Sequence, residues 1–302
     1  MRKKSEIIFL IFLIIGIAIS IYRNSLSRIS FNDDELNIMF FPVGKADSIL
    51  IVNGEYAALI DGGLESDAED ICSYLKELGI RRLKYIISTH SDSDHIGGLY
   101  TILNNMNVDY IITSCHAMQN DDYIRLIKKA DRRGIPVIQA KAEDTFILGE
   151  AVFTVLSPQE DINGDDFETE SANSNAAYED MQKKYYNNLS LVLRIDYGKN
   201  SAVFMGDALR EAQEEIINKD YRVKTDIIKI SHHGFEDGIS EEFLNKAGAE
   251  YAIITRQDTQ AEGRDKQLYD ILEKTGTKAV VTGEKNVTFV TFKDGDIYIK
   301  QE

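Results

Sequence analysis

Cysteine is almost absent from this chain of 302 residues, which holds only 2. Cys72 and Cys115 exclude a disulfide framework and a thiolate metal motif. They read as two buried or half-buried thiols, with a single bridge left open for an exported domain. Basic charge is also scarce: 34 Lys and Arg stand against 50 Asp and Glu, a net charge of −16. A surface that negative repels polyanions at long range, which excludes DNA binding through a broad basic face. Tight metal-free nucleic-acid binding is not expected, and a phosphodiester substrate would need bound metal to supply positive charge locally. No short-period repeat occurs, and nothing in the composition suggests disorder or a fibre. A hydrophobic fraction of 43% suits a sizeable core, in one large α/β domain or two small ones.

A small-residue cleavage site is missing near the N-terminus. Arg2, Lys3 and Lys4 precede an apolar run from Ile7 to Tyr22, and Ile21-Tyr22-Arg23-Asn24 offers no A-x-A-like pattern. The run is shorter than the roughly 20 residues of a standard span, but flanking Ser and Tyr suit the interface. An uncleaved signal anchor is the favoured reading over a removed signal peptide. The basic prefix places the folded domain outside the cytoplasmic membrane, single-pass, or secreted if the segment is cleaved. The expected organisation is an anchor over 1–22, a polar linker over 23–35 and one domain over 36–302.

Short β-branched runs at Leu36–Val43, Ser48–Val52 and Tyr56–Ile60 predict a meander. Helix-spaced apolar residues over 68–78 and 123–133 each stop at a glycine, Gly79 and Gly134. Strands are predicted at 85–88, 108–113, 151–156, 189–196, 202–205, 226–230, 251–254, 279–281, 287–292 and 297–299. Helices are predicted at 208–218, 241–247 and 266–274. A meander followed by alternating strands and helices suggests two sheets with helices packed outside. Residues 158–186 are polar, acidic and without periodicity, which reads as a surface insertion or a lid near the site.

The chemistry concentrates in His90-Ser-Asp92-Ser-Asp94-His95-Ile-Gly-Gly, directly after a strand. Mixed imidazole and carboxylate donors suit zinc, manganese or iron. A solvated acidic turn would account for the aspartates, but not for two histidines bracketing them in a chain with only 5. Asp61 and Asp207 each follow an apolar strand. Asp61 alone could be a plain turn residue, and Asp207 alone a helix N-cap. His232 and His233 follow another strand, and adjacent side chains diverge, so one of the two is expected to face the site. His116 matches no such pattern and reads as a surface or satisfied core histidine.

These stretches together resemble the metallo-β-lactamase superfamily, whose H-x-H-x-D-H loop becomes H-x-D-x-D-H here. That variant looks like the hydrolase domain of ComEC-type competence proteins. Phe41-Pro-Val-Gly-Lys-Ala-Asp47-Ser48 is similar to the V-G-x-G-D-S turn, with Ala46 in place of a glycine. Asp61-Gly62-Gly63, Asn187-Asn188-Leu-Ser190, Gly206-Asp207 and Lys229-Ile-Ser231-His232-His233-Gly234 resemble further motifs in order. The resemblance implies a four-layer αββα sandwich, two mixed sheets flanked by helices, to which the apolar run of residues 7–22 adds an N-terminal membrane helix. It implies two divalent ions, zinc or manganese, holding a hydroxide nucleophile. His90 and Asp92 would favour one ion, Asp94 and His95 the other, and Asp207 would bridge them. His232 rather than His233 is expected as the late ligand. Asp61 would orient His90 or His95, and Lys229 or Ser231 would touch the leaving group. Asn188 stands where many relatives use a histidine, and the turn over 256–264 lacks the histidine that competence-type proteins carry.

The expected function is a metal-dependent hydrolase, a phosphodiesterase or nuclease, with Asp94 and Asp207 central to catalysis. Its partners would be a phosphodiester substrate, extracellular nucleic acid or a cell-envelope polymer, and the membrane through the N-terminal helix. The alternative, motivated by Asn188 and the altered turn, is a membrane-anchored non-catalytic binding module.

Overall fold

Strand β1 (Glu35–Phe40) sends Leu36, Ile38 and Phe40 into one apolar core and Met39 into another. This is the period-two alternation of a strand covered on both faces. The structure is a computed structural model and describes residues 31–160, 175–235, 238–257, 266–283 and 285–302. The expected anchor over 1–22, most of the linker, residues 161–174 of the insertion and most of the histidine-free turn lie outside the described residues. Among those described, no helix is long and apolar enough to cross a membrane.

Further strands are β2 (Ile49–Asn53), β3 (Tyr56–Ile60), β4 (Arg82–Ser88), β5 (Asn107–Ser114), β6 (Val137–Ala140), β7 (Thr145–Leu148) and β8 (Ala151–Ser157). They are followed by β9 (Val192–Tyr197), β10 (Asn200–Phe204), β11 (Ile227–Lys229), β12 (Tyr251–Ile254), β13 (Lys278–Val281), β14 (Thr288–Lys293) and β15 (Asp296–Gln301). One sheet runs β15-β14-β1-β2-β3-β4-β5-β6 and the other β13-β12-β11-β10-β9-β8-β7. Both are mixed: antiparallel meanders lead into the parallel runs β3-β4-β5-β6 and β10-β11-β12-β13. The sheets meet face to face over a core that includes Phe40, Ile51 and Ile87 from the first and Phe153, Leu193 and Phe204 from the second. Phe40 and Phe204 stack across this gap with ring centroids 6.2 Å apart.

Helices α1 (Ala68–Glu77), α2 (Ser93–Ile96), α3 (Leu99–Asn105) and α4 (Asp121–Arg133) cover the outer face of the first sheet. Helix α5 (Asn175–Asn188) leads into β9. Helices α6 (Arg210–Asn218), α7 (Glu241–Ala247) and α8 (Lys266–Thr275) cover the second sheet. The result is the two-sheet layering with outer helices that the sequence predicts. Three differences have local reasons. Strands β6 and β7 lie at sheet edges and are only partly buried, so their apolar signal is weak. Helix α5 occupies the end of the expected insertion; its apolar residues form no stripe, so periodicity does not betray it. Helices α2 and α3 flank Gly97-Gly98, a pair that reads as a turn in sequence but here continues helical backbone.

The parallel strands place the site. Asp61 follows β3, Thr89 follows β4, Gly206 and Asp207 follow β10, His232 and His233 follow β11, and Thr255 follows β12. Ligand sites in open α/β sheets gather beyond such carboxyl ends; here two sheets deliver theirs to one rim.

Candidate metal centre

Each histidine of the cluster is held by one ring nitrogen, which fixes what the other can do. His95 Nδ1 donates to Asp61 Oδ2 at 2.8 Å. His233 Nδ1 lies 3.1 Å from the Thr255 carbonyl, which can only accept, so this nitrogen carries the proton. The Thr89 hydroxyl donates to Asp61 Oδ2 at 2.7 Å and lies 3.1 Å from His90 Nδ1. With its own proton committed to Asp61, that hydroxyl accepts from His90. With each Nδ1 taken, it is Nε2 of all three rings that faces the cluster, the arrangement in which outer partners orient metal-binding imidazoles.

Those Nε2 atoms converge on carboxylates. His95 Nε2 is 3.3 Å from Asp207 Oδ1, and His90 Nε2 is 3.8 Å from Asp207 Oδ2. His233 Nε2 is 3.6 Å from Asp94 Oδ2 and 3.9 Å from Asp207 Oδ2. The Nε2 atoms of His90, His95 and His233, and Asp207 Oδ1, are buried without a hydrogen-bond partner. Buried polar atoms are ordinarily satisfied, so orphans of this chemistry facing one another fit divalent cations. Three groupings bring potential ligand atoms together among the described residues. One, Asp47, Asp61 and His95, surrounds the Nδ1 already bonded to Asp61; the two that offer open donors are His90, His95 and Asp207, and Asp94, His95 and His233. This differs from the expected partition, because His95 joins both groups. Asp92 stands slightly aside, 4.0 Å from His90 Nε2 and 3.4 Å from the ammonium of Lys183.

Local backbone explains this geometry. Asp61 adopts φ 58° and Gly206 φ 53°, turning the chain sharply at the ends of β3 and β10. Gly98 solves a different problem: a β-carbon there would meet the Gly62 carbonyl oxygen at 2.0 Å. Its N–H instead donates to Gly63 O at 3.0 Å, and Gly62 N donates to His95 O at 2.7 Å. The histidine loop and the Asp-Gly-Gly loop are thus sewn backbone to backbone.

Several expected roles change. His233 enters the cluster, whereas the expected late ligand, His232, stays half-buried with its ring against Phe235. Both adopt left-handed backbone, φ 47° and 53°, so the chain doubles on itself and turns the second imidazole inward. Lys229 and Ser231 are fully buried and committed elsewhere. Lys229 is ion-paired with Asp47 and donates to Gly206 O at 3.1 Å, while Ser231 donates to Ala208 O at 2.7 Å. Asn188 turns away to α6, where its Oδ1 accepts from Leu209 N at 3.0 Å and its Nδ2 donates to Glu211 at 3.0 Å. The N-cap position of α6 belongs to Leu209, not to Asp207. Asp61 serves both histidines, His95 directly and His90 through Thr89. His116 is half-buried and satisfied by Gln159 O at 3.0 Å.

Five residues of the site have no assigned role in the sequence reading. Asp47 stands within the quoted V-G-x-G-D-S-like turn, and Thr89 immediately precedes His90; position in the motifs is the signal for both. Asn120 caps α4 and donates to Ser91 O at 2.6 Å, bracing the metal loop. Thr255 and Lys183 carry no local signal.

Burial and neighbouring charges compete throughout. Burial opposes charge on His95, but Asp207 and Asp61 override it and raise its proton affinity well above that of an ordinary histidine. Burial likewise disfavours the charged Asp207, yet His95 and His233 hold it well below the usual carboxylate range. For Asp94, burial is outweighed by the nearby imidazoles of His233 and His95, which hold its carboxyl below the usual range. Asp47 is lowered despite burial, chiefly by Lys229. His90 goes the other way: burial and then His95 lower it, favouring neutral imidazole.

Comparison with known proteins points the same way. The family model described as the metallo-beta-lactamase superfamily matches residues 42–255. ComE operon protein 3 of Bacillus subtilis (strain 168) is 24% identical over 222 residues, 73% of this chain and 26% of that protein. Recombination protein 2 of Haemophilus influenzae is 31% identical over 218 residues, 70% of this chain and 23% of that protein. The chain therefore spans about a quarter of the length of these curated relatives. Among solved structures, the metallo-beta-lactamase fold protein YhfI from Bacillus subtilis aligns with TM-score 0.52 at 13% identity. That alignment covers 88% of this chain and 100% of YhfI, a likeness of fold.

Proposed function

The chain belongs to the metallo-β-lactamase superfamily, and from that premise we propose that it is a metal-dependent phosphodiesterase. Two divalent ions, zinc or manganese, would be held by His90, Asp92, Asp94, His95, Asp207 and His233. The observation that carries this reading is the convergence of three orphaned Nε2 atoms on Asp207 and Asp94, each imidazole tied at Nδ1. Bound divalent ions supply a water of lowered pKa and neutralise charge developing on a phosphoryl oxygen.

The chain's own residues set the stage for that chemistry. Asp61 holds His95 directly and His90 through Thr89, so neither ring can rotate away. Asp207, within 3.9 Å of all three imidazoles, would help hold the ions. The buried Lys229–Asp47 pair forms the floor beneath it, Lys229 Nζ lying 3.9 Å from Asp207 Oδ1. A phosphodiester is favoured over a lactone or β-lactam by Asp92 at the second position of the histidine loop and by the similarity to Recombination protein 2 and to Competence protein ComA. Extracellular nucleic acid and a cell-envelope phosphodiester polymer are both within this class. The basic start and apolar run of residues 1–22 support action outside the cytoplasmic membrane, which protease accessibility on intact cells would test. Of the two motives for the non-catalytic alternative, Asn188 is bonded to a helix start away from the cluster, and most of the histidine-free turn lies outside the described residues.

Turnover of bis-p-nitrophenyl phosphate, p-nitrophenyl phosphate and a chromogenic β-lactam by the full chain tests the proposal. Manganese- or zinc-dependent cleavage of the diester, lost in Asp94→Ala and Asp207→Ala, is expected. Diester cleavage that survives both substitutions, or exclusive β-lactam turnover, would overturn it.

A further inference from the structure

Beside the cluster stand side chains that the metal centre itself does not use. Lys183 reaches from α5 to within 3.4 Å of Asp92 while 58% of its side chain stays exposed. Lys45, also exposed, holds its ammonium 4.0 Å from the centroid of the Phe235 ring. The His232 ring leans on the same phenyl, centroids 5.4 Å apart, and its Nδ1 is buried without a hydrogen-bond partner. His232 keeps a left-handed backbone, φ 47°, that residues with a β-carbon rarely adopt. Strain of this kind persists where the surroundings over-determine it, and it clusters at functional sites.

A cationic rim on a chain of net charge −16 is a local exception to its surface. Resting on the phosphodiesterase reading, we infer that Lys45, His232 and Lys183 form a subsite for a phosphodiester chain, holding phosphates next to the one being cleaved. Asp92 would help hold a divalent ion, which would leave the exposed ammonium of Lys183 to a strand phosphate. Phe235 sets the position of Lys45 and His232 and, with Lys45 over its ring, does not serve as a stacking platform for a base. Recognition therefore runs through phosphates and is indifferent to bases. Because long-range repulsion opposes these few cations, binding is weak and salt-dependent.

The test is fluorescence anisotropy of the manganese-loaded full chain with a short phosphorothioate oligothymidylate, which resists cleavage, and with an abasic strand of equal length. The Lys45→Gln/Lys183→Gln variant is expected to bind about 10-fold more weakly, and its log–log salt slope to shrink by about 1.4, two single-strand phosphate contacts. Lys45→Arg/Lys183→Arg should restore binding, and the abasic strand should bind within about threefold of oligothymidylate. The distant charge-matched variant Lys278→Gln/Lys300→Gln should bind like the wild type. Wild-type chain that binds no strand at low salt, unchanged binding in the Lys45/Lys183 variant, an equal loss in the distant variant, or loss of the abasic strand would each overturn the subsite. Lysine-dependent binding without any diester turnover would sustain the subsite and defeat the phosphodiesterase reading. Turnover without lysine-dependent binding would do the reverse.

Discussion

Asp61 accepts a 2.8 Å hydrogen bond from Nδ1 of His95, and both residues are fully buried. The same carboxylate takes the Thr89 hydroxyl at 2.7 Å and the Thr89 N–H at 2.8 Å. One side chain outside the converging donors thus sets the tautomers of two that are within them.

Asp61→Asn replaces half of that acceptor with an N–H that opposes the donors of His95 and Thr89. Metal affinity should fall about 10- to 100-fold, the usual cost of losing such a supporting partner. Thr89→Val keeps the shape, removes only the relay to His90, and should fall at the lower end of that range. Competition against a chromogenic chelator measures both; unchanged affinity in Asp61→Asn would refute this role.

Metal uptake should release protons. Metal-free His95 is held protonated above its ordinary value of about 6.5 by Asp207 and Asp61 against the effect of burial, and a divalent ion must displace the proton on Nε2. At pH 6 about one proton per chain should appear in weakly buffered solution. Uptake without release at that pH would contradict the assignment.

Stability of the metal-free chain follows from the same groups. The raised His95 contributes stability that is fully present below about pH 6.5 and is lost as pH rises through its folded value. The lowered Asp207 contributes stability present above about pH 4 and lost as pH falls through its folded value. Thermal unfolding of the metal-free chain should therefore peak between these limits and weaken on the alkaline side. A chelated protein whose Tm keeps climbing from pH 6 to 9 would show the wrong sign.

Asn188→Ala should leave metal affinity intact and lower stability by about 1 kcal/mol, because it removes the acceptor for the first N–H groups of α6. Urea unfolding and metal titration together check this, and a variant that loses metal without losing stability would reverse the assignment.

Gly98→Ala should be among the most damaging conservative changes. Its new methyl would drive the histidine loop off the Gly62 carbonyl, at a cost of about 1–3 kcal/mol or more. Both Tm and metal affinity should drop together; a wild-type Tm would show that the loops are not locked as described.

Much of this was legible from short-range pattern. The alternating runs predict two sheets, and the H-x-D-x-D-H run, Asp61 and Asp207 announce themselves by following apolar strands. What the pattern could not carry depends on backbone sign and on long-range closure. Choosing between His232 and His233 requires knowing that both lie in the left-handed region. Lys229 looks like a solvent-facing lysine until β11 is placed centrally in a sheet and Asp47 arrives from the other one. Asn188 looks like a substituted ligand until α6 is seen to need a cap. Thr255, at the end of β12, has no signature that local sequence could reveal.

The most direct measurement is the metal stoichiometry of the full chain, stripped with chelator and titrated with manganese or zinc, with diester turnover followed at each addition. About two ions per chain, with turnover rising as they bind and abolished in Asp207→Ala, is the expected result. A stripped chain that takes up no metal, or cleaves the diester equally well without it, would contradict the metal centre itself.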